Sequence, residues 1–90
     1  MRRTRIKICG ITRPEDAAAA AAAGADSVGF NCYPRSPRFV EAARLRELAA
    51  ALPPFVTPVL LFVNATPAQV EAGLAQVPDA LLQFHGDEPP

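Results

Sequence analysis

Residues 5–30 read Arg5-Ile-Lys-Ile-Cys-Gly10, Ile11-Thr-Arg-Pro-Glu-Asp16, seven alanines from Ala17 to Ala23, and Gly24-Ala-Asp-Ser-Val-Gly-Phe30. The first piece alternates in polarity with the period of a strand, and Gly10 falls where that strand turns into a loop. Thr12-Arg-Pro-Glu15 has the spacing of a capping box, with Pro14 tolerated in the first turn, and the alanines then propagate a helix. Gly24 supplies the left-handed conformation that ends it, and Ala25 to Phe30 begins a second strand. A strand, a helix and another strand within so short a span are the βαβ signature of a parallel sheet.

The same alternation continues to the end of the chain. Asn31 to Arg38, with Pro34 and Pro37, forms a loop longer than a minimal connection. From Glu41 the apolar positions Leu45, Leu48, Ala49 and Leu52 share one helical face, and Pro53-Pro54 stops that helix. Val56 to Val63 is the apolar run expected of a strand covered on both faces, although Pro58 points to an irregular or locally unpaired start. Thr66-Pro-Ala-Gln69 repeats the capping pattern. Val70, Leu74 and Val77 give the third helix a narrow apolar stripe that Gly73 weakens, and Ala80 to His85 reads as a fourth strand. Four strands and three helices result, in a single domain spanning residues 1–90. Such a series builds either an open doubly wound sheet or a closed barrel, and the pattern by itself leaves both open. Asp87-Glu-Pro-Pro90 stands where a fourth helix would start. The expected fragment therefore has two strand edges and an apolar face to cover, a condition that favours self-association.

Composition narrows the partners. The chain is 50% hydrophobic and 20% charged, and nine basic residues balance nine acidic ones at an isoelectric point near 6.5. Neither nucleic acid nor an anionic membrane has an electrostatic footprint here. No apolar segment follows the basic start Met1-Arg-Arg-Thr-Arg5, so a soluble cytoplasmic protein acting on a small molecule is expected. Cys9 and Cys32 are too few for a disulfide scaffold and match no zinc spacing, so both are expected to be reduced and metal-free. Nucleotide-binding glycine loops and the serine-hydrolase elbow are also absent from the sequence.

In parallel α/β folds, the carboxyl ends of the strands gather at one mouth. Here those ends are Cys9-Gly10, Asn31 to Arg38, Asn64, and His85-Gly-Asp87. Cys9 shares a strand face with Lys7, opposite Ile6 and Ile8; a thiolate so placed can act as base or nucleophile, and a cationic neighbour favours that form. The bland alternative is a buried structural cysteine. Arg38 follows the stiff Tyr33-Pro-Arg-Ser-Pro37 segment, where its fork could clamp a carboxylate or phosphate; its alternative is a solvated loop cation. His85 shares a face with Gln83 and points to the same mouth if Leu82 and Phe84 face helices, and a structural histidine is its alternative. Gly86-Asp87-Glu88 could be merely a turn and helix cap.

Lys7-Ile-Cys-Gly-Ile-Thr12, Glu15-Asp-Ala17, Gly24-Ala-Asp26, Gly29-Phe30, Tyr33-Pro-Arg-Ser-Pro-Arg38, Phe62-Val-Asn64 and Gln83-Phe-His-Gly86 together resemble the phosphoribosylanthranilate isomerase family. The resemblance implies a (β/α)8 TIM barrel of tryptophan biosynthesis, of which this chain carries the first four strands and three helices. It further implies an Amadori rearrangement of an aminoaldose to an aminoketose without cofactor or metal, on a phosphosugar anthranilate substrate. Cys9 would be the general base that removes the sugar C2 proton. Arg38 would hold the anthranilate carboxylate, and Lys7 and His85 would be further substrate contacts. The family's general acid, an aspartate, and its phosphate loops lie on later strands, so the 90 residues alone are expected to be inactive. Asn31-Cys32 stands where the family usually has two apolar residues, and Phe84 replaces a usual leucine. The first departure adds a second thiol near the mouth and implies a local adaptation of the loop.

Overall fold

The computed structural model describes residues 5–85. Its elements are β1 (Lys7–Cys9), α1 (Pro14–Ala22), β2 (Ser27–Asn31), α2 (Ala42–Ala50), β3 (Thr57–Val63), α3 (Pro67–Gln76) and β4 (Leu81–His85). All adjacent strands pair in parallel in the order β1-β2-β3-β4, so each helix crosses over between neighbouring strands. Sequential order without reversal is that of a barrel segment; a doubly wound sheet would reverse direction at a switch point.

The ladder register sorts the strand residues into two sets. Ile8 pairs with Val28, Phe30 with Leu60, Leu60 with Leu82, and Phe62 with Phe84. Val28, Phe30, Leu60 and Phe62 are buried with Leu45 and Leu48 of α2, so this face packs on the helices. The alternate residues, Lys7, Cys9, Gly29, Asn31, Leu61, Gln83 and His85, occupy the concave face. Cys9 and Lys7 thus share a side opposite Ile6 and Ile8, which line a groove with Ala19 and Ala20 of α1 and with Ala23, its C-terminal cap. Ile6, Ile8, Leu81 and Phe84 remain exposed along the two outer strands.

Three expectations need correction. Thr12 and Glu15 do not form a capping box: the cap of α1 is Arg13, in an extended conformation with no side-chain capping bond. Pro14 explains this, because proline at the first helical position forces the preceding residue out of the helical region and fixes the cap there. Arg13 instead pairs with Asp16 at 3.0 Å, and that hydrogen bond holds the Asp16 carboxyl below the usual carboxylate range. At α3 the proline follows the threonine directly, and the capping box of Thr66 and Gln69 is complete.

Pro58 does not make the start of β3 irregular, for it sits in register with Val28, although that start is unpaired on the β4 side as expected. The amide of Thr57 donates toward β2, so the next position faces β4, whose ladder begins only at Leu81 opposite Val59. The missing proline N–H has no acceptor to miss. Gly73, finally, is the buried residue of α3 rather than a gap in its stripe. A β-carbon there would stand 3.0 Å from Cζ of Phe62 and 3.1 Å from Cδ1 of Leu60. Glycine lets the helix approach the sheet.

Candidate active site

The carboxyl ends of β1 and β2 are joined closely. The amide of Gly10 donates to the Gly29 carbonyl at 3.0 Å, and the amide of Ile11 shares that oxygen at 3.3 Å. Gly29 lies opposite Cys9 in the ladder, and a β-carbon on it would come within 3.1 Å of the Cys9 Sγ. A strand-interior glycine commonly marks such an approach, so this neighbour of the thiol had a signal in the sequence that went unread.

After β2 the chain turns back on itself. The Asn31 side-chain oxygen accepts the Tyr33 amide at 2.8 Å, the Cys32 amide donates to the Leu61 carbonyl at 2.8 Å, and the Val40 amide donates to the Asn31 carbonyl at 2.8 Å. Within the turn the Arg38 amide donates to Oγ of Ser36 at 3.1 Å. Asn31 therefore closes an Asx-type turn, a physical use for the polar residue where an apolar one was expected. The loop carries Arg38 across the end of β1. Its Cδ fills the space above Gly10, whose φ of +83° suits glycine.

A cavity of about 140 Å³ lies where these pieces meet, lined among others by Cys9, Gly10, Gly29, Asn31, Arg38, Leu61 and Gln83. Cys9 is exposed and free, and so is available to a ligand there. Of the candidates read from the sequence, Cys9 and Arg38 thus share one cavity. Lys7 and His85 do not line it, but both hydrogen-bond to Gln83, which does. In the sequence Gln83 belongs to the Gln83-Phe-His-Gly86 block and shares a face with His85, with no role of its own assigned. Asn64 adopts a left-handed conformation and donates its amide to the His85 carbonyl at 3.2 Å, which ties the ends of β3 and β4. Gly86, Asp87 and Glu88 lie outside the described residues.

The second thiol stands apart from the first. Cys32 lines a different, largely apolar cavity with Phe39, Leu45, Phe62 and Gly73 on the helix side of the sheet. Burial raises its pKa to about 11, which disfavours the thiolate. Among the described residues no cluster of three or more histidine, cysteine or acidic side chains is placed to hold a metal ion, and no helix is long and apolar enough to cross a membrane.

Residues 6–90 match the family model of N-(5'-phosphoribosyl)anthranilate (PRA) isomerase. The N-(5'-phosphoribosyl)anthranilate isomerase of Leptothrix cholodnii is 64% identical over 88 residues, which are 98% of this chain and 40% of that protein. The isomerase of Acidithiobacillus ferrooxidans is 65% identical over 86 residues, covering 96% of this chain and 42% of its own length. Among solved structures, phosphoribosyl anthranilate isomerase from Thermotoga maritima superposes with a TM-score of 0.88 at 42% identity, over 97% of this chain and 42% of that one. A phosphoribosyl anthranilate isomerase in complex with reduced 1-(o-carboxyphenylamino)-1-deoxyribulose 5-phosphate gives the same TM-score of 0.88 and 42% identity, over 97% of this chain and 45% of that one. The chain spans about two fifths of the length of the curated relatives it matches.

Proposed function

The chain belongs to the PRA isomerase family, and on that premise we propose that it supplies the general base and the carboxylate clamp of an Amadori rearrangement of N-(5-phosphoribosyl)anthranilate. The observation that carries the reading is the meeting of Cys9 and Arg38 in one cavity at the carboxyl ends of β1 and β2. Arg38 would bind the anthranilate carboxylate through its planar fork, which fixes the substrate relative to Cys9. The Cys9 thiolate would then take the C2 proton of the ring-opened iminium form, leaving a neutral enolamine that tautomerises to the ketose. Lys7 and His85 would contact the sugar portion. The general acid and the phosphate site would come from residues corresponding to the remaining three fifths of the relatives' length. The balanced charge is compatible with a small metabolite substrate in the cytoplasm.

The test is a fusion in which these 90 residues replace the matching segment of the Leptothrix cholodnii relative. Turnover is followed through the disappearance of the phosphoribosylanthranilate fluorescence. Cys9→Ala is expected to lower kcat by about two to four orders of magnitude with KM little changed, in the range of a general base. Turnover close to that of the parent fusion would eliminate Cys9 as the base.

The exposure of Ile6 and Ile8 at β1 and of Leu81 and Phe84 at β4 supports a second reading. In it the chain is a non-catalytic half-barrel, and two copies cover each other's strand edges. Mass by light scattering decides: a folded monomer defeats this reading, and a stable dimer without turnover supports it.

A further inference from the structure

Lys7 and His85 stand on the two outer strands of the sheet, yet one side chain connects them. Nζ of Lys7 hydrogen-bonds to Oε1 of Gln83, and Nε2 of Gln83 lies 2.9 Å from Nε2 of His85. The donor and acceptor inventory of these groups allows a single assignment. An ammonium can only donate, so the Gln83 amide must turn its oxygen to Lys7. Its NH2 group, also only a donor, then faces the imidazole, and Nε2 of His85 must accept. A ring nitrogen that accepts carries no proton, which leaves the ring proton on Nδ1.

We infer that Gln83 is the positioning residue of this site, holding the Lys7 ammonium over the concave face and locking His85 as the Nδ1–H tautomer. His85 then serves a ligand as a hydrogen-bond donor through Nδ1, while its occupied Nε2 takes no part in proton transfer. With Lys7 and Arg38, the mouth presents cations and donors, an arrangement that suits the oxygen-rich face of a hydroxylated, anionic substrate. This last step rests on the isomerase reading. The tautomer does not.

His85 is the single histidine of the chain, so a nitrogen–proton correlation spectrum of the labelled protein at mildly alkaline pH reports one ring without ambiguity. The unsubstituted chain is expected to show a protonated Nδ1 and a bare Nε2. Gln83→Glu should invert the tautomer, because a carboxylate accepts from both neighbours and draws the proton to Nε2. Lys7→Met frees the amide to turn and should give a mixture. A ring protonated on Nε2 in the unsubstituted chain, or Nδ1–H persisting unchanged in a folded Gln83→Glu, overturns the assignment. If Gln83→Glu loses its dispersed amide spectrum, the unsubstituted ring and Lys7→Met decide. In the fusion, Gln83→Glu is expected to raise KM with kcat little changed; a kcat loss as large as that of Cys9→Ala would place proton transfer at His85 and refute the positioning role. Should the tautomer invert while Cys9→Ala leaves turnover intact, the isomerase reading fails and the tautomer assignment stands.

Discussion

Cδ of Arg38 occupies the space in which any residue but glycine at position 10 would carry its β-carbon. The left-handed φ of +83° at Gly10 and the placement of the arginine stem are thus two parts of one device. Gly10→Ala must both strain the backbone, at a cost of about 1–2 kcal/mol, and push Arg38 off the end of β1. We expect a lower Tm together with a raised KM in the fusion. Gly24 is the control, since its φ is +103° but nothing lies within 4 Å of the added carbon. Gly24→Ala should lower Tm and leave KM unchanged. Equal effects of the two substitutions on KM would show that Arg38 does not depend on the cleared space.

The two thiols should separate by reactivity. Cys9 is exposed, whereas Cys32 is half-buried with its pKa raised to about 11. Alkylation of the folded chain near neutral pH is expected to modify Cys9 first, so that Cys9→Ser abolishes the fast phase and Cys32→Ser spares it. Loss of the fast phase in Cys32→Ser instead would contradict the placement of both residues.

Burial of Cys32 also sets a pH dependence. Unfolded, its thiol titrates near the ordinary value of 9.0, and folded it holds its proton up to about 11. Between those limits the folded state binds more protons than the unfolded state, so this contribution to stability is intact below the window and is lost as pH climbs through it. Other groups also titrate there, and Cys32→Ala isolates this one. Urea unfolding of the variant should show a shallower alkaline loss than the parent; identical slopes would remove Cys32 from the account.

Two threonines with the same apparent motif should behave differently. Thr66→Ala removes the Oγ1 that accepts the Gln69 amide in an existing capping box, while the backbone amide of residue 66 can still donate to Gln69, and should cost about 0.5–2 kcal/mol. Thr12→Ala precedes the true cap, Arg13, and should cost much less. Chemical denaturation of the pair settles the matter, and equal losses would show that Thr12 caps after all.

Gly73→Ala tests the contact of α3 with the sheet. Helix propensity alone would make alanine better by about 1 kcal/mol. The added methyl meets the ring of Phe62 and the side chain of Leu60, so overpacking of about 1–3 kcal/mol should prevail. A stabilised variant would mean that the two side chains give way freely.

The alternation of strands and helices was legible because each step carried its own local signal: polarity at Arg5 to Cys9, alanines ended by Gly24, Pro53-Pro54 after α2. Period two placed Cys9 and Lys7 on one face without any coordinates. The start of α1 is also set locally, by Pro14, which pins the helix start mechanically, and not by the threonine–glutamate spacing. What local signals could not convey were close approaches between residues distant along the chain. Gly29 under the Cys9 sulfur, Gly73 against Phe62, and the side-chain bonds from Lys7 through Gln83 to His85 arise only when the strands are laid side by side.

The amino-acid sequence by itself therefore settled which segments become strands, which residues each strand turns inward, and the family the chain resembles, because backbone periodicity and turn chemistry act over a few residues. The tertiary structure alone decided that the sheet runs in sequential order, that Arg38 lies over Gly10 and lines one cavity with Cys9, and that one amide joins Lys7 to His85. Those outcomes depend on strand order and register, which bring together side chains up to 76 positions apart.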